Sequence, residues 1–451
     1  MRARHTLGVL LLASVPLVTP RIRGADEIEH FAYLRSLAFD RDLDFGDEYE
    51  HFYAEDPRGL AAFKATFLDR REPATGRFIN FAPVGSALLW APPYLLAHAS
   101  VLVARSLGSG VAADGFSRPY VMAACFGSVA YGFLGLLLLY DLLRRFRDAA
   151  EPVAVWTVAA VWWGTPALYY MTIATGFAHA NSLLTVTGTL WLWMRARRHD
   201  TPAAWAGVGL AAGLAGLVRE QDLFFVLAPG LDAARRALRE PRTLAGLSRP
   251  LLLALGTAVA FAPQLWVYRL LNGRFGPSQL VARKMNWTSP HFWQVLLDPG
   301  HGLFLWTPLA ALAVAGLVWS WSRERDWVTG LLGLALLAQV FVNGAVESWT
   351  QAGGFGSRRF VSATPILAWG LAALLAALRP RLGRAWLAAG LSILVWWNVS
   401  LMAQFGLRLM DRQRLEWPRV ALNQVTEVPR RIGRAAYLFF TDRERLVKEG
   451  A

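Results

Sequence analysis

Asp26 and Glu27 follow the apolar segment Thr6–Pro20 within a few residues. Two adjacent carboxylates where a hydrophobic helix meets water are expensive to keep. A carboxylate so placed can take a proton from a hydroxyl or help hold a cation. Other polar residues stand at the ends of apolar segments: Glu29 and His30, His179 and Asn181, Arg219, Glu220 and Asp222, then Glu347, Arg358 and Arg359. Arginine matches phosphate oxygens in a bidentate way. In the run Gly353-Gly354-Phe355-Gly356-Ser357-Arg358-Arg359, glycines allow close backbone approach and two arginines can neutralise a diphosphate. Each feature has a plainer reading. Asp26 and Glu27 suit the first turn of an amphipathic helix Ile28–Phe39. His179 could be an interfacial packing residue, and Arg219 could pair locally with Glu220. The glycine run could be a tight turn with anchoring arginines. The acidic run Asp40-Arg41-Asp42-Leu43-Asp44, then Asp47-Glu48, could bind a divalent cation or form a solvated loop.

These residues sit in a chain of 451 residues, 55% hydrophobic and 17% charged, with 20 Trp. Its mean hydropathy is +0.33. Apolar runs of about 17–25 residues recur, the length that crosses a bilayer. The class is an all-α polytopic membrane protein; no period-two pattern marks a barrel. The net charge of +14 sits in short Arg clusters between apolar segments, which argues for topology and against nucleic acid. The single cysteine, Cys125, permits no intrachain disulfide and reads as a packing residue. No zinc-protease, nucleophile-elbow, phosphate-loop or dinucleotide motif occurs.

The positive-inside rule places the clusters Arg144-Arg145-Arg147, Arg195-Arg197-Arg198, Arg235-Arg236-Arg239-Arg242, Arg323-Arg325 and Arg379-Arg381-Arg384 in the cytoplasm. Spans are then expected near 118–143, 153–175, 180–196, 203–219, 221–234, 249–271, 304–322, 327–346, 361–378 and 385–403. With a retained first helix this makes about eleven. The span at 221–234 is short and reads as tilted or partly embedded. Residues 82–105 are long enough to cross, but crossing would invert every later cluster. They therefore read as a re-entrant or surface-lying helix broken by Pro83, Pro92 and Pro93. The transmembrane domain is 1–403, with a first outer loop at 21–117. Residues 404–451 form a basic amphipathic tail on the outer face, either a small domain or a segment on anionic lipid.

A short first helix, Asp26-Glu27, and a long outer loop holding Asn80-Phe81-Ala82-Pro83-Val84-Gly85 resemble the GT-C glycosyltransferases. The style is that of the protein O-mannosyltransferases and the aminoarabinose lipid A transferases. The segment ending at Ala174-Thr175-Gly176-Phe177-Ala178-His179 is similar to that family's second outer loop. His179 stands where those relatives carry an Asp. The resemblance implies a GT-C-like bundle and a polyprenyl-phosphate sugar donor. It also implies an acceptor hydroxyl on a lipid, glycan or protein, and inverting transfer at the outer face of a bacterial inner membrane. By match of position Asp26 is the base with Glu27 beside it; placement at the outer helix ends makes His179, Arg219, Arg358 and Arg359 the expected donor-binding residues. A metal requirement stays open, with a divalent cation as the candidate cofactor. The competing readings are a transporter or lipid flippase, which predicts internal repeats and mid-membrane charges, and a structural subunit. A shared site requires Asp26, His179 and Arg219 to converge.

Overall fold

The computed structural model describes residues 2–239, 244–288, 290–442 and 445; Arg242 and the remainder of the tail lie outside the described residues. The described chain is helical, with one isolated bridge, Arg71 to Phe78, in place of strands. The principal helices are α1 (Arg2–Ser14), α2 (Ala25–Arg35), α3 (Gly46–Glu55), α4 (Gly85–Ser106), α5 (Arg118–Phe146), α6 (Glu151–Trp163), α7 (His179–His199), α8 (Pro202–Val218), α9 (Leu227–Arg239), α10 (Leu244–Asn272), α11 (Pro308–Glu324), α12 (Trp327–Ala345), α13 (Thr364–Gly406), α14 (Trp417–Val425) and α15 (Glu427–Thr441). Local chemistry sets their ends. Pro152 and Pro202 start α6 and α8, where the missing N–H costs nothing. The Asp326 carboxylate accepts the N–H groups of Val328 and Thr329 at the start of α12.

Among the described residues five helices are long and apolar enough to cross a membrane: α4, α5, α10, α12 and α13. The chain divides into two compact units. One holds residues 1–17, 136–170 and 286–451; the other holds 18–135 and 171–285. In the first, α11 packs closely on α13. A Cβ on Gly316 would lie 2.1 Å from the carbonyl oxygen of Gly370. In the second, α8 packs on α7 and α10, and a Cβ on Gly209 would lie 2.1 Å from the Leu253 carbonyl oxygen. Small residues let backbones approach in this way in membrane bundles.

Members of several basic clusters pair with acids near helix ends. Within the second unit, Arg197 pairs with Asp232 at 2.8 Å, and Arg249 with Asp200 at 2.8 Å. His179 begins α7, and Arg197 and Arg198 close it. A 21-residue helix separates these two ends by about 30 Å. Within the first unit, Arg147 pairs with Glu324 at 2.8 Å, joining two of the clusters.

Three expected segments differ in form. Residues 82–105 are not broken at Pro92 and Pro93: α4 runs through both, and only Pro83 lies outside it. Prolines survive where neighbours and local adjustment compensate the freed carbonyls. The stretch 153–175 stops at Trp163, because Gly164, Thr165 and Pro166 end α6 before a short helix Ala167–Thr172. The stretch 221–234 starts in a 3₁₀ turn, Glu220–Val226, and continues as α9; Asp222 meets Ser182 near the start of α7 and Asp232 meets Arg197 near its end, so the stretch runs along the length of α7. Residues 361–378 and 385–403 are two helical halves of α13, separated as expected by a break at Gly383 (φ 74°) within the Arg379–Arg384 cluster. That backbone conformation suits glycine and lets the two halves diverge.

Candidate functional site

The second unit gathers the first-loop acids with His179 and Arg219. Glu27 is the third residue of α2, and its Oε2 accepts the N–H groups of Arg23 and Gly24, both at 2.8 Å. It therefore fixes the entry to its own helix, as a capping glutamate does. Gly176 packs on this turn: a Cβ there would meet Glu27 Cβ at 3.0 Å. Phe177 lies against Gly24 and stacks on His179, centroids 5.8 Å apart. The two segments singled out in the sequence thus close on each other.

Asn80-Phe81-Ala82-Pro83-Val84-Gly85 wraps α2 through specific bonds. The Asn80 amide donates to the Glu29 carbonyl at 3.0 Å, and Phe81 N–H donates to the Glu29 carboxylate. His30 Nδ1 donates to the Pro83 carbonyl at 3.2 Å, and Val84 N–H donates to Gln264 at 2.9 Å. Gly85 sits hard against α8, where a Cβ would lie 2.4 Å from the Leu217 backbone. Gly85→Leu is expected to cost about 1–3 kcal/mol or more through overpacking. A thermal-shift midpoint in detergent checks this, and an unchanged midpoint refutes it.

Burial sorts the three acids of α2. It pushes Glu27 up to about 7 against two backbone N–H donors, and Glu29 up to about 8 with the help of the Asp26 charge. Asp26 is the half-exposed member, and Glu27 and Glu29 are buried. Desolvation drives the buried pair toward neutrality near pH 7, which leaves Asp26 as the acid best placed to meet a solvent-borne group. Burial also pushes His30 down to about 4, so it is a neutral imidazole. The charge of Asp26 raises His30 and that of Arg219 lowers it, both less than burial does.

Arg219 leaves the end of α8 in extended backbone. Its Nη1 donates to His179 Nδ1 at 2.7 Å, and its Nη2 donates to Gln221 at 3.1 Å. An arginine is always the donor, so His179 accepts through Nδ1 and is neutral there. Glu220, the next residue, accepts from the Tyr268 hydroxyl, and burial pushes it up to about 7. Asp222 is buried and accepts from Ser182. Asn181 is fully buried, and its amide makes no hydrogen bond to the protein.

Arg358 and Arg359 belong to the other unit. There the glycine run packs on its own surroundings. A Cβ on Gly354 would meet Arg358 Cδ at 2.9 Å, and one on Gly356 would meet Pro166 at 2.6 Å. Arg359 donates to Ser348 at 3.2 Å. In the acidic run, Asp42 accepts from Ser36 and from Asp44 N–H, Asp44 accepts from Gly46 N–H, and Asp40 pairs with Arg35. Among the described residues no three His, Cys, Asp or Glu side chains group as metal ligands. A cavity of about 460 Å³ opens beside Val84, walled by Leu37, Leu88, Trp266 and Leu270, with Arg41 and Arg77 lining it.

Glu29, His30, Tyr268 and Gln264 do their work in ways that spacing could not show. Glu29 and His30 were visible as polar helix-end residues, but their partners lie about 50 positions away. Gln264 and Tyr268 lie inside an apolar helix and gave no signal of their own.

A polytopic helical membrane protein with the GT-C fold is what these elements define. The chain is similar throughout to ArnT from Cupriavidus metallidurans bound to undecaprenyl phosphate, with a TM-score of 0.52 at 17% identity, covering 99% of this chain and 76% of that one. The apo state of the same protein gives 0.49 at 18% identity, covering 99% and 77%. The Archaeoglobus fulgidus oligosaccharyltransferase gives 0.47 at 13% identity, covering 99% of this chain and 56% of that one. No family model and no curated protein matches the sequence.

Proposed function

We propose that this protein transfers a sugar from a polyprenyl-phosphate donor to an acceptor hydroxyl. The observation that carries the reading is that one compact unit holds Asp26, His179 and Arg219, with Phe177 lying against the Gly24 turn before Asp26 and stacking on His179, which holds Arg219. The acceptor oxygen attacks the anomeric carbon, the bond from that carbon to the phosphate oxygen breaks, and the polyprenyl phosphate departs. Asp26 takes the acceptor proton. Arg219 receives the charge that grows on the departing phosphate. Glu27 is a positioning residue, because its carboxylate holds the turn on which Asp26 stands. The cavity beside Val84 suits an isoprenoid chain, with Arg41 and Arg77 near an anionic head.

The topology belongs to the same proposal. Along its first half, α4 lies beside the first-loop residues: His30 meets Trp90, Phe31 meets Tyr94, and Phe39 meets His98. The loop after α4 returns to the same cluster, with Phe116 stacked on His51 at 4.0 Å and Asp114 accepting from Arg35. A helix whose two flanks meet one body fits a surface-lying or re-entrant reading. The site, at the His179 end of α7, then faces the outside of a bacterial inner membrane, with Arg197 and Arg198 at the other end of that helix.

Radiolabelled polyprenyl-phosphate sugars presented to membranes containing the protein, with and without EDTA, test the reading. The expected result is label moved covalently to a new acceptor. Label that crosses the membrane still attached to its lipid favours a flippase and overturns the transfer. Loss with EDTA, restored by a divalent cation, would establish a metal requirement.

A further inference from the structure

The tail after α13 carries an apolar surface that the proposed reaction does not use. α14 and α15 pack back on α13. Trp417 stacks on Trp397 at 5.0 Å, and Gln404 donates to the Val420 carbonyl at 3.2 Å. α13 ends at Gly406. α14 therefore lies beside the last few turns of a helix long and apolar enough to span, within about 14 Å of its end. That puts α14 at one end of the apolar helix, toward the headgroup region rather than the bilayer centre.

Both helices are amphipathic, and only part of each apolar face is used against the protein. Val420, Val428 and Leu438 are buried. Leu422 and Val425 of α14 are 60% and 70% exposed, and Tyr437 and Phe440 of α15 are 66% and 61% exposed. Ile432, Ala436 and Phe440 recur at a spacing of four, one stripe along α15. Arg430, Arg431 and Arg434 lie on the other face of the same helix. Exposed aromatics beside arginines on a short amphipathic helix fit the headgroup and acyl boundary of a membrane.

We propose that the α14–α15 hairpin docks on the surface of an anionic bilayer, with Leu422, Val425, Ile432 and Phe440 inserted and the arginines of α15 on lipid phosphates. Surface arginines near anionic lipid contribute roughly 1 kcal/mol each. The occupant is the lipid surface of the membrane that holds α13. A second copy of the chain on this face is the competing occupant.

The test uses the full chain in nanodiscs. Cys125 is the single cysteine, so Cys125→Ala combined with Phe440→Cys accepts one environment-sensitive fluorophore. The expected result is quenching by shallow spin-labelled lipid, several-fold stronger with phosphatidylglycerol than with phosphatidylcholine alone. Gln in place of Arg430, Arg431 and Arg434 should remove that lipid dependence while leaving the thermal-shift midpoint within a few degrees. A label in water in both lipids overturns the proposal. So does quenching that appears only when two copies share a disc. If the Phe440 variant folds poorly, the same label at Val425→Cys gives the same reading. Sugar transfer is not the readout, so this result stands apart from the catalytic proposal.

Discussion

Asp26→Asn is expected to lower sugar transfer by about 10²–10⁴-fold while the protein folds and extracts as the native chain does. The substitution keeps the size of the side chain and removes its basicity. It leaves Glu27 holding Arg23 and Gly24, so the turn at the start of α2 keeps its geometry. Glu27→Gln should behave differently. An amide oxygen still accepts from the backbone, so the loss should be smaller and should fall with any loss of stability. The other acids offer little rescue: burial holds Glu29 near 8, and its carboxylate already accepts from Phe81. The measurement is label transfer to acceptor under saturating donor, paired with a thermal-shift midpoint. Transfer within threefold of native, in a folded Asp26→Asn protein, would remove Asp26 from the role of base.

The acid-dependent steps also give a sign. Glu29 in the folded chain is raised above the ordinary carboxylate value. Its neutral form therefore favours the folded state at low pH, and that contribution is lost as pH rises through about 8. A loss of stability on the alkaline side follows from α2, whatever the pH profile of transfer itself.

The helical class and the two loops of the site were legible because they rest on local pattern. Apolar length marks a span, and acids at the start of α2 mark a helix terminus beside water. The Asn80–Gly85 motif was legible as a unit, although what each residue bonds was not. Its partners, Glu29, His30 and Gln264, come from α2 and α10. Spacing carries no information across such distances. The errors have local causes as well. Pro92 and Pro93 were read as breaks because proline removes a donor, yet α4 runs through them. Residues 221–234 were counted as a span to keep the arginine clusters on one side; Asp232, buried against Arg197 and Trp193, turns a charge of this helix inward. The glycines before Arg358 also serve packing, with Arg358 and Pro166 where their side chains would be.

Arg219→Gln is expected to reduce kcat by about 10²–10³-fold, with a smaller change in KM for the donor. Charge on the bridging phosphate oxygen develops as its bond to the sugar breaks, so a guanidinium aimed there acts most in the transition state. Arg219→Lys should recover only part of the rate, because an ammonium supplies charge without the planar fork. His179 acts through this arginine: it is buried at the head of α7 and accepts one guanidinium N–H at 2.7 Å. A carboxylate at this place would form an ion pair with the arginine; an imidazole accepting through Nδ1 orients it without adding an opposing charge. His179→Ala should therefore lower kcat by a lesser factor than Arg219→Gln, and the double variant should be no worse than Arg219→Gln alone. Such non-additivity is what two groups acting as one unit give. Additive losses in that cycle would mean that His179 meets the substrate on its own account, and that the leaving phosphate is held by more than the arginine.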